Sequence, residues 1–260
     1  MKIDTHIHCH YSADSVLGYQ ELCKKAIRNN YSVLAITEHY DLIDSEIMAY
    51  GLLPIKQYFE DIGSLRLQYP QLEIIAGLEI GEPHLIQDFA SRLFSSYQPE
   101  YTIGSLHVTR KGLNVSLPIM GNVKSKQIRE YYEEILEMVE SGWFDTLGHL
   151  GVFKRAIRNS KNIDESESYS VIDEIFRVMI KKEICLEVNN SGYNSFFNNH
   201  IPEPSILLRY KKLGGKLITI GSDSHYIEHF DRFYNKTLDS ILAVGFSGIY
   251  WKKNGVFCHT

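Results

Sequence analysis

The sequence predicts an α/β protein built as one barrel of parallel strands wrapped in helices. Short apolar runs rich in β-branched residues recur along the 260 residues, and each is followed by a longer segment with helical spacing. Histidines and carboxylates stand at the ends of most of these runs. The longer irregular stretches also follow runs, and in a barrel the carboxyl ends of the strands form the face where chemistry occurs.

Seven runs have the length and composition of buried strands. In chain order they span Lys2 to Ile7, Ser32 to Thr37, Leu72 to Ile80, Tyr101 to Leu106, Thr146 to Leu150, Ile184 to Val188 and Lys216 to Ile220. Because parallel strands need a crossover connection, usually a helix, a helical segment should follow each run. The predicted helices span Tyr19 to Asn29, Ile55 to Tyr69, Leu85 to Ser96, Lys124 to Glu140, Glu165 to Lys182, Pro204 to Leu213 and Lys236 to Val244.

Glycines mark the points where helices must stop and the chain must reverse. Gly142 precedes the fifth strand, and Gly214 with Gly215 precedes the seventh. The longer irregular stretches are about residues 40–54, 109–122, 151–164 and 189–203. No composition shift, linker or repeat divides the chain, so we predict a single domain over residues 1–260.

Composition limits the partners. The formal net charge of -5 and pI near 6.1 give no basic field for a polyanion, which favours a small phosphorylated substrate over nucleic acid. The four cysteines form no CxxC pair, so neither a disulfide scaffold nor a thiolate zinc site is predicted. The chain also shows no signal-peptide core and no run of about 18 apolar residues for a membrane span. We therefore expect a cytoplasmic protein with no membrane partner; its oligomeric state stays open.

Potential metal ligands stand at nearly every strand end. His6 and His8 are two residues apart, so on an extended strand both point to the same side and can bind one ion. Glu38 and His39 end the second run. The full set of predicted metal ligands is His6, His8, Asp14, His39, Glu79, His107, His149, Asp223 and His225.

A divalent-ion cluster explains this pattern better than isolated structural histidines do. Unpaired buried charges cost several kcal/mol, a cost that a metal removes. Imidazole nitrogens combined with carboxylate oxygens suit Zn, Mn or Fe, whereas a pure oxygen site would suit Mg or Ca. Cys9 alternates with His8 on the strand and should face away from the ions, as a packing residue.

Seven ordered motifs resemble those of the PHP family, which takes its name from its polymerase and histidinol phosphatase members. They are the HxH of His6 and His8, ITEH at Ile36 to His39, GLEIGEPH at Gly77 to His84, GSLH at Gly104 to His107, GHL at Gly148 to Leu150, EVNNSG at Glu187 to Gly192 and GSDSH at Gly221 to His225. The likeness extends from Lys2 to about Gly248. Within the family the pattern most resembles the histidinol-phosphate phosphatases.

The resemblance implies a distorted (β/α)7 barrel, similar to a TIM barrel, that holds three divalent metal ions. By similarity, His6, His8, Glu79 and Asp223 would hold the first ion. Glu79 would bridge to a second ion held with His107 and His149. The third ion would be bound by Asp14, His39 and His225.

The implied activity is hydrolysis of L-histidinol phosphate to L-histidinol and phosphate, a step of histidine biosynthesis. A water between ions would lose its proton near neutral pH and attack phosphorus, while the cations neutralise charge on the phosphoryl oxygens. The leaving alkoxide needs a proton or a cation, which Asp223, His225 or the metal-bound water network could provide. Asp223 and His225 are the candidate catalytic residues.

Phosphate also needs fixed donors, and a guanidinium suits it best. Arg155, six residues after His149, is the first candidate, since similar enzymes place an arginine there. Arg158, Arg110 and His84 are further candidates for substrate binding, with Lys154 and Lys111 in reserve. Some similar phosphatases carry a second arginine after the EVNNSG stretch. Tyr193 and Asn194 occupy that region here, so the phosphate contacts are expected to differ or Arg110 to compensate.

Other functions stay open at this point. The same family includes enzymes for other small phosphate esters and nucleases for nucleic acid, and a non-catalytic metal-binding module would keep the ligands alone. Amidohydrolase barrels also use HxH on the first strand and Asp on the last. Those enzymes typically bridge their ions with a lysine or an equivalent residue on the fourth strand, whereas this chain offers Glu79 on the third and His107 on the fourth.

Overall fold

A computed structural model describes residues 1–41, 53–117, 123–158 and 163–260. Seven parallel strands form one sheet whose spatial order is the chain order. The strands are β1 (Lys2–Ile7), β2 (Tyr31–Tyr40), β3 (Glu73–Gly81), β4 (Tyr101–Ser105), β5 (Thr146–Leu147), β6 (Cys185–Asn189) and β7 (Ile218–Gly221). The predicted barrel is confirmed.

The first and last strands meet just beyond their carboxyl ends. Ile7 forms a parallel bridge with Ser224. The His8 amide donates to the Ser224 carbonyl at 3.0 Å, and the Asp223 amide donates to the His6 carbonyl at 2.8 Å. These bonds nearly close the barrel, and they bring the carboxyl end of β7 beside His6 and His8.

The described residues form eight α-helices around these strands. They are α1 (Tyr19–Arg28), α2 (Ile55–Gln68), α3 (Pro83–Phe94), α4 (Ser125–Ser141), α5 (Phe153–Ala156), α6 (Tyr169–Lys182), α7 (Pro204–Lys212) and α8 (Tyr234–Val244). Short 3-10 helices span Ser166–Ser168 and Ser191–Asn194, and a hairpin of β8 (Tyr250–Lys253) and β9 (Val256–His259) follows α8. Neither α5 nor this hairpin was predicted from the sequence.

Helix α1 shows how the helices attach to the barrel. Its buried residues Tyr19, Leu22, Cys23 and Ala26 recur at the spacing of one helical face. Leu22 is fully buried in the core that joins helices and strands, and burial of a leucine side chain is worth roughly 1.5–3 kcal/mol. The polar residues between them face outward, so the apolar spacing alone fixes which side of α1 meets the sheet.

Two strands differ from their predicted lengths by three residues or more. Strand β2 continues to Tyr40, in register with β3, so that His39 stands opposite Glu79. Strand β5 ends at Leu147, because the chain turns against β4: the Gly148 amide donates to the Gly104 carbonyl at 2.9 Å, and a Cβ at Gly148 would overlap Ser105 Oγ. Only glycine allows this approach.

Several smaller predictions can be compared with the structure. The irregular stretches of about 40–54, 109–122 and 151–164 lie partly outside the described residues. All four cysteines are unpaired, as predicted. Among the described residues, no helix is long and apolar enough to cross a membrane.

Candidate active site

His6 and His8 lie at the floor of the site with their Nε2 atoms facing each other. Both side chains are fully buried, and the two Nε2 atoms are 3.0 Å apart. His6 Nδ1 lies 2.6 Å from Glu187 Oε1, and a carboxylate only accepts, so Nδ1 donates there. Ser12 donates its hydroxyl hydrogen to Glu38 and therefore accepts from His8 Nδ1 at 3.1 Å. With hydrogens on their Nδ1 atoms, both rings direct Nε2 at one point, where a cation would find two nitrogen ligands.

Glu79 lies at the centre of the site, on β3. Its Oε1 accepts a hydrogen bond from Ser105 Oγ at 2.7 Å. Although burial alone would raise the pKa of Glu79, the charges of His6 and His107 hold it well below its usual range. Its two oxygens lie within 3.4 Å of five histidine nitrogens, those of His6, His8, His39, His107 and His149.

A second pair of facing imidazoles lies nearer the surface. His39 Nε2 and His225 Nε2 are 3.3 Å apart, and Asp14 carboxylate oxygens lie 3.7 and 3.3 Å from them respectively. His225 Nδ1 donates to the Asp223 carbonyl at 3.0 Å, which leaves Nε2 as the nitrogen that faces Asp14 and would bind a cation. Burial would raise the pKa of Asp14, but its hydrogen bond with His225 and the charge of His39 hold that pKa well below its usual range.

Asp223 contacts His6 and His8 at the floor of the site and Arg155 in the cavity wall. Its Oδ1 lies 3.5 Å from His8 Nε2 and 3.8 Å from His6 Nε2. Its Oδ2 accepts from Arg155 Nη1 at 2.6 Å, and the same Nη1 donates to Ser191 Oγ at 2.8 Å. Burial would raise the pKa of Asp223, but Arg155 and then His6 hold it well below its usual range.

The donor set fits divalent cations. Zn–N bonds of about 2.0–2.1 Å at near-tetrahedral angles place two nitrogen ligands roughly 3.3 Å apart, close to both Nε2 pairs. Asp14 Oδ1 and Glu79 Oε2 are buried and have no hydrogen-bond partner among the described residues. Leaving buried carboxylate oxygens unpaired costs free energy that a bound cation would recover. Groups such as His6, His8 and Glu79, or Glu79, His107 and His149, can each hold an ion.

The predicted ligands line a single cavity at the mouth of the barrel. His6 and His8 lie beneath it. The wall consists of Asp14, His39, Glu79, His107, Ser116, Leu117, His149, Arg155, Asp223 and His225. All nine predicted ligands therefore converge, although they span residues 6 to 225 of the chain.

The other candidate substrate-binding residues are placed elsewhere. Arg110 pairs with Glu137 of α4 at 2.8 Å and is exposed. His84 Nε2 lies 3.4 Å from Glu134 Oε1 of α4, and His84 is not among the residues of the cavity wall. Arg158 lies over the exposed Phe196 ring, outside the cavity wall. Of the four candidates, the structure brings only Arg155 to the cavity.

The two reserve lysines are also occupied. Lys154 is 3% exposed and pairs with Glu165 and Glu203, which anchors α5 beside Arg155. Lys111 pairs with Glu130 at 2.5 Å. Lys154, predicted as a reserve phosphate donor or a solvated surface charge, is instead enclosed by these carboxylates inside the protein.

The region of the missing second arginine is filled by aromatic packing. Tyr193 is largely buried, with its ring centroid 4.9 Å from that of Phe233, and Lys236 Nζ lies 3.9 Å from the centre of the Tyr193 ring. Arg232 donates to Asn194 Oδ1 at 3.0 Å. A cation is thus present near this stretch, supplied by the segment after β7 instead of the segment after β6.

The sequence reading missed the residues that stand behind the histidines. Asp41 Oδ1 lies 3.0 Å from His107 Nδ1, and Glu187 contacts His6 as described above. Glu82 accepts from the backbone amides of His107 and Val108 at 2.7 and 2.8 Å. One signal was available: Asp41 follows His39 by two residues, the spacing that places side chains on the same face of a strand.

Comparison with known proteins agrees with this architecture. The family described as "PHP domain" matches residues 4–191. A probable histidinol-phosphatase of Clostridium acetobutylicum is 27% identical over 97% of this chain and 98% of its own. A histidinol-phosphatase of Lactococcus lactis is 28% identical over 94% and 92% of the two chains.

A solved structure extends the comparison to three dimensions. It is the histidinol phosphate phosphatase of Lactococcus lactis, complexed with zinc, L-histidinol and phosphate. It superimposes with a TM-score of 0.87 at 25% identity, and the match covers 99% of this chain and 98% of the other.

Proposed function

Because this chain belongs to the PHP domain family, we propose that it is a metal-dependent phosphomonoesterase that hydrolyses L-histidinol phosphate to L-histidinol and phosphate. The observation that carries the proposal is the single cavity in which nine histidines and carboxylates meet beside one arginine. The relatives named above support the choice of substrate. They also support one functional domain over residues 1–260.

The proposed cofactor is a cluster of three divalent ions. His6, His8, Glu79 and Asp223 would hold one; Glu79, His107 and His149 the second; Asp14, His39 and His225 the third. Zinc is the first candidate because the Lactococcus lactis structure contains it, and Mn or Fe would suit the same donors. When bound, such ions polarise phosphoryl oxygens and lower the pKa of water.

Arg155 is proposed to hold the phosphate. Its guanidinium lines the cavity and now pairs with Asp223 Oδ2. When Asp223 binds a cation, the same guanidinium is available to a phosphoryl oxygen, where its fork can make two charge-assisted bonds. Ser191 Oγ, at 2.8 Å, keeps the guanidinium pointed into the cavity.

Proton transfer is assigned to Asp223 rather than His225. His225 donates Nδ1–H to a carbonyl and turns Nε2 toward Asp14 and His39, so it has no proton to exchange while it holds an ion. Asp223 Oδ2 faces Arg155 and the cavity. We infer that Oδ2 takes a proton from the attacking water and returns one to the leaving alkoxide.

Competing functions are less well supported. A small phosphorylated partner agrees with the narrow cavity and the net charge of -5, whereas a nucleic acid would favour a basic surface. A different phosphate ester stays the main alternative, since the cations around Tyr193 differ from the expected arginine. The four unpaired cysteines agree with the predicted cytoplasmic location.

The test is phosphate release by protein loaded with Zn, Mn or Fe. We expect kcat/KM of about 10⁴ M⁻¹s⁻¹ or more for L-histidinol phosphate, the range of ordinary enzymes. Glycerol phosphate, a dinucleotide and a simple amide serve as comparison substrates, and protein treated with a chelator is the blank. A faster rate with another monoester would overturn the substrate, and a rate equal to the blank for every ester would overturn the activity.

A further inference from the structure

We infer that Asp41 is a positioning residue that couples two ion subsites, because one carboxylate contacts a histidine from each. Asp41 is 1% exposed and directly follows β2. Its Oδ1 lies 3.0 Å from His107 Nδ1, and its Oδ2 lies 3.2 Å from His39 Nδ1. The inference rests on the metal cluster of the proposed function and is independent of the substrate.

The two histidines face different groups on their opposite sides. His39 Nε2 lies 3.3 Å from His225 Nε2 and 3.7 Å from Asp14 Oδ1. His107 Nε2 lies 3.3 Å from Glu79 Oε1, an oxygen that is 2.8 Å from His149 Nε2. One carboxylate thus stands behind two imidazoles whose Nε2 atoms would hold separate ions.

A carboxylate behind Nδ1 sets which nitrogen can bind a metal. Since a carboxylate only accepts, Asp41 holds a proton on His107 Nδ1, so Nε2, which here contacts Glu79, is the nitrogen that a cation would bind after displacing its proton. His39 Nδ1 is 3.2 Å from Asp41 Oδ2 and 3.1 Å from Glu79 Oε2, and neither contact is aligned as a hydrogen bond. With Glu79 Oε2 bound to cations, Asp41 Oδ2 is the acceptor that remains for His39.

The fold provides space for this carboxylate. In the parallel register His39 stands opposite Glu79 and Tyr40 opposite Ile80, so Asp41 comes level with Gly81. A Cβ at Gly81 would overlap Asp41 Oδ1. The lack of a side chain at Gly81 is therefore what allows Asp41 to reach His107.

The test measures metal binding and needs no substrate. Zinc would be titrated into the metal-free protein against a chromophoric chelator, for the wild type and for Asp41→Asn, Glu187→Gln and Asp145→Asn. Asn at position 41 keeps the shape but can accept from only one of the two imidazoles. We expect Asp41→Asn to weaken two zinc-binding steps by about 10–100-fold each, the usual effect of removing a group behind a metal-binding histidine.

Two comparison variants distinguish a specific effect on the ion subsites from a general loss of stability. Glu187 contacts the side chain of one proposed ligand, His6, so Glu187→Gln should weaken one step most. Asp145 bonds Thr102 and Lys252 at the other end of the barrel, so Asp145→Asn controls for general loss of stability. Loss of one step alone in Asp41→Asn would overturn the coupling, and binding equal to Asp145→Asn would overturn the role of Asp41 altogether.

Imidazole proton signals give a second readout that a merely structural role would not change. In zinc-loaded protein with ¹⁵N-labelled histidine, both His39 and His107 should show a hydrogen-bonded Nδ1–H signal. At least one of these should be lost or shifted in Asp41→Asn, and Gly81→Ala should shift the His107 signal. Unchanged signals would contradict the inference. If zinc binds as described but L-histidinol phosphate is not hydrolysed, the proposed function fails while this inference stands.

Discussion

The two ends of the barrel hold their charged side chains in opposite ways. At the end that carries the amino ends of the strands, lysines and arginines pair with carboxylates near the surface, as in Lys2 with Asp231, Lys253 with Glu73 and Arg66 with Glu100. At the mouth, five buried or half-buried histidines surround Glu79, and Arg155 is the arginine that the described part of the cavity wall contains.

Cavity volume alone does not identify the functional cavity of this protein. The hollow at the amino end is larger, about 750 Å³ against about 130 Å³ at the mouth, and its cations already have carboxylate partners. At the mouth, Asp14 Oδ1 and Glu79 Oε2 are buried without a hydrogen-bond partner among the described residues. Such atoms carry a free-energy cost unless a ligand compensates it, so the smaller cavity is the reactive one.

The largest expected effect comes from the centre of the mouth. Glu79→Gln keeps the shape but removes the charge that five imidazoles share, so we expect kcat/KM to fall about 10³-fold or more and bound metal to decrease. Phosphate release and elemental analysis of the same samples measure both effects. The matched control is Glu73→Gln, which breaks a surface pair at the opposite end and should leave both quantities near the wild-type values. Full metal content in Glu79→Gln would contradict the assignment.

A smaller effect is expected from the cavity wall. Arg155→Lys keeps the charge but loses the planar fork, and a hydrogen bond to a charged group is worth about 1.5–3 kcal/mol, so kcat/KM should fall about 10–100-fold. Steady-state kinetics should show the loss while metal content stays unchanged. Arg158→Lys, three residues away and outside the wall, should behave as the wild type. Equal effects of the two substitutions would remove Arg155 from the phosphate site.

Metal binding should strengthen as pH rises. Burial alone would lower the pKa of His39, but Asp41 and Glu79 raise it to about 10 in the absence of ions. Below that pH the ring holds a proton that an incoming cation must displace, so zinc affinity should increase by up to about tenfold per pH unit for each proton released. Zinc titrations between pH 6 and 9 in buffers of different ionisation enthalpy would count those protons. Affinity that is constant or falls with pH would contradict this expectation.

The smallest effect is expected at the opposite end. Arg66→Met removes one side of the exposed pair with Glu100, and such pairs contribute about 0–1 kcal/mol. The free energy of unfolding, measured with urea, should therefore change by less than about 1 kcal/mol, and activity should be unaltered. A measurable loss of activity would mean that the two ends of the barrel are linked, and it would contradict the difference between them.

Much of this architecture follows from local pattern. The apolar runs located all seven strands, because buried parallel strands read as short β-branched segments, and strand-end histidines and carboxylates located the mouth. Strand β5 was predicted too long, since the close approach of Gly148 to β4 is a tertiary contact that periodicity does not reveal. The hairpin β8 to β9 was not predicted, although Asn254 and Gly255 between its two short strands are the typical signal of a two-residue turn.

The roles of residues whose partners lie far away in the sequence could not be predicted. Lys154 resembles a solvent-facing cation in sequence, and only packing shows that Glu165 and Glu203 enclose it. Arg110 has the chemistry of a phosphate donor, yet α4 places Glu137 beside it. The spacing of Asp41 from His39 indicated that both side chains lie on one face of the strand. The contact of Asp41 with His107 joins the ends of β2 and β4, and the sequence alone does not show that these ends lie close together.

The most direct measurement is anomalous diffraction at the zinc edge from crystals of zinc-loaded protein. Three peaks are expected inside the mouth: one between His6, His8 and Asp223, one beside His107 and His149, and one beside Asp14, His39 and His225, with Glu79 between the first two. Crystals without a peak among these residues, or with zinc only at the opposite end of the barrel, would contradict the proposed ion cluster.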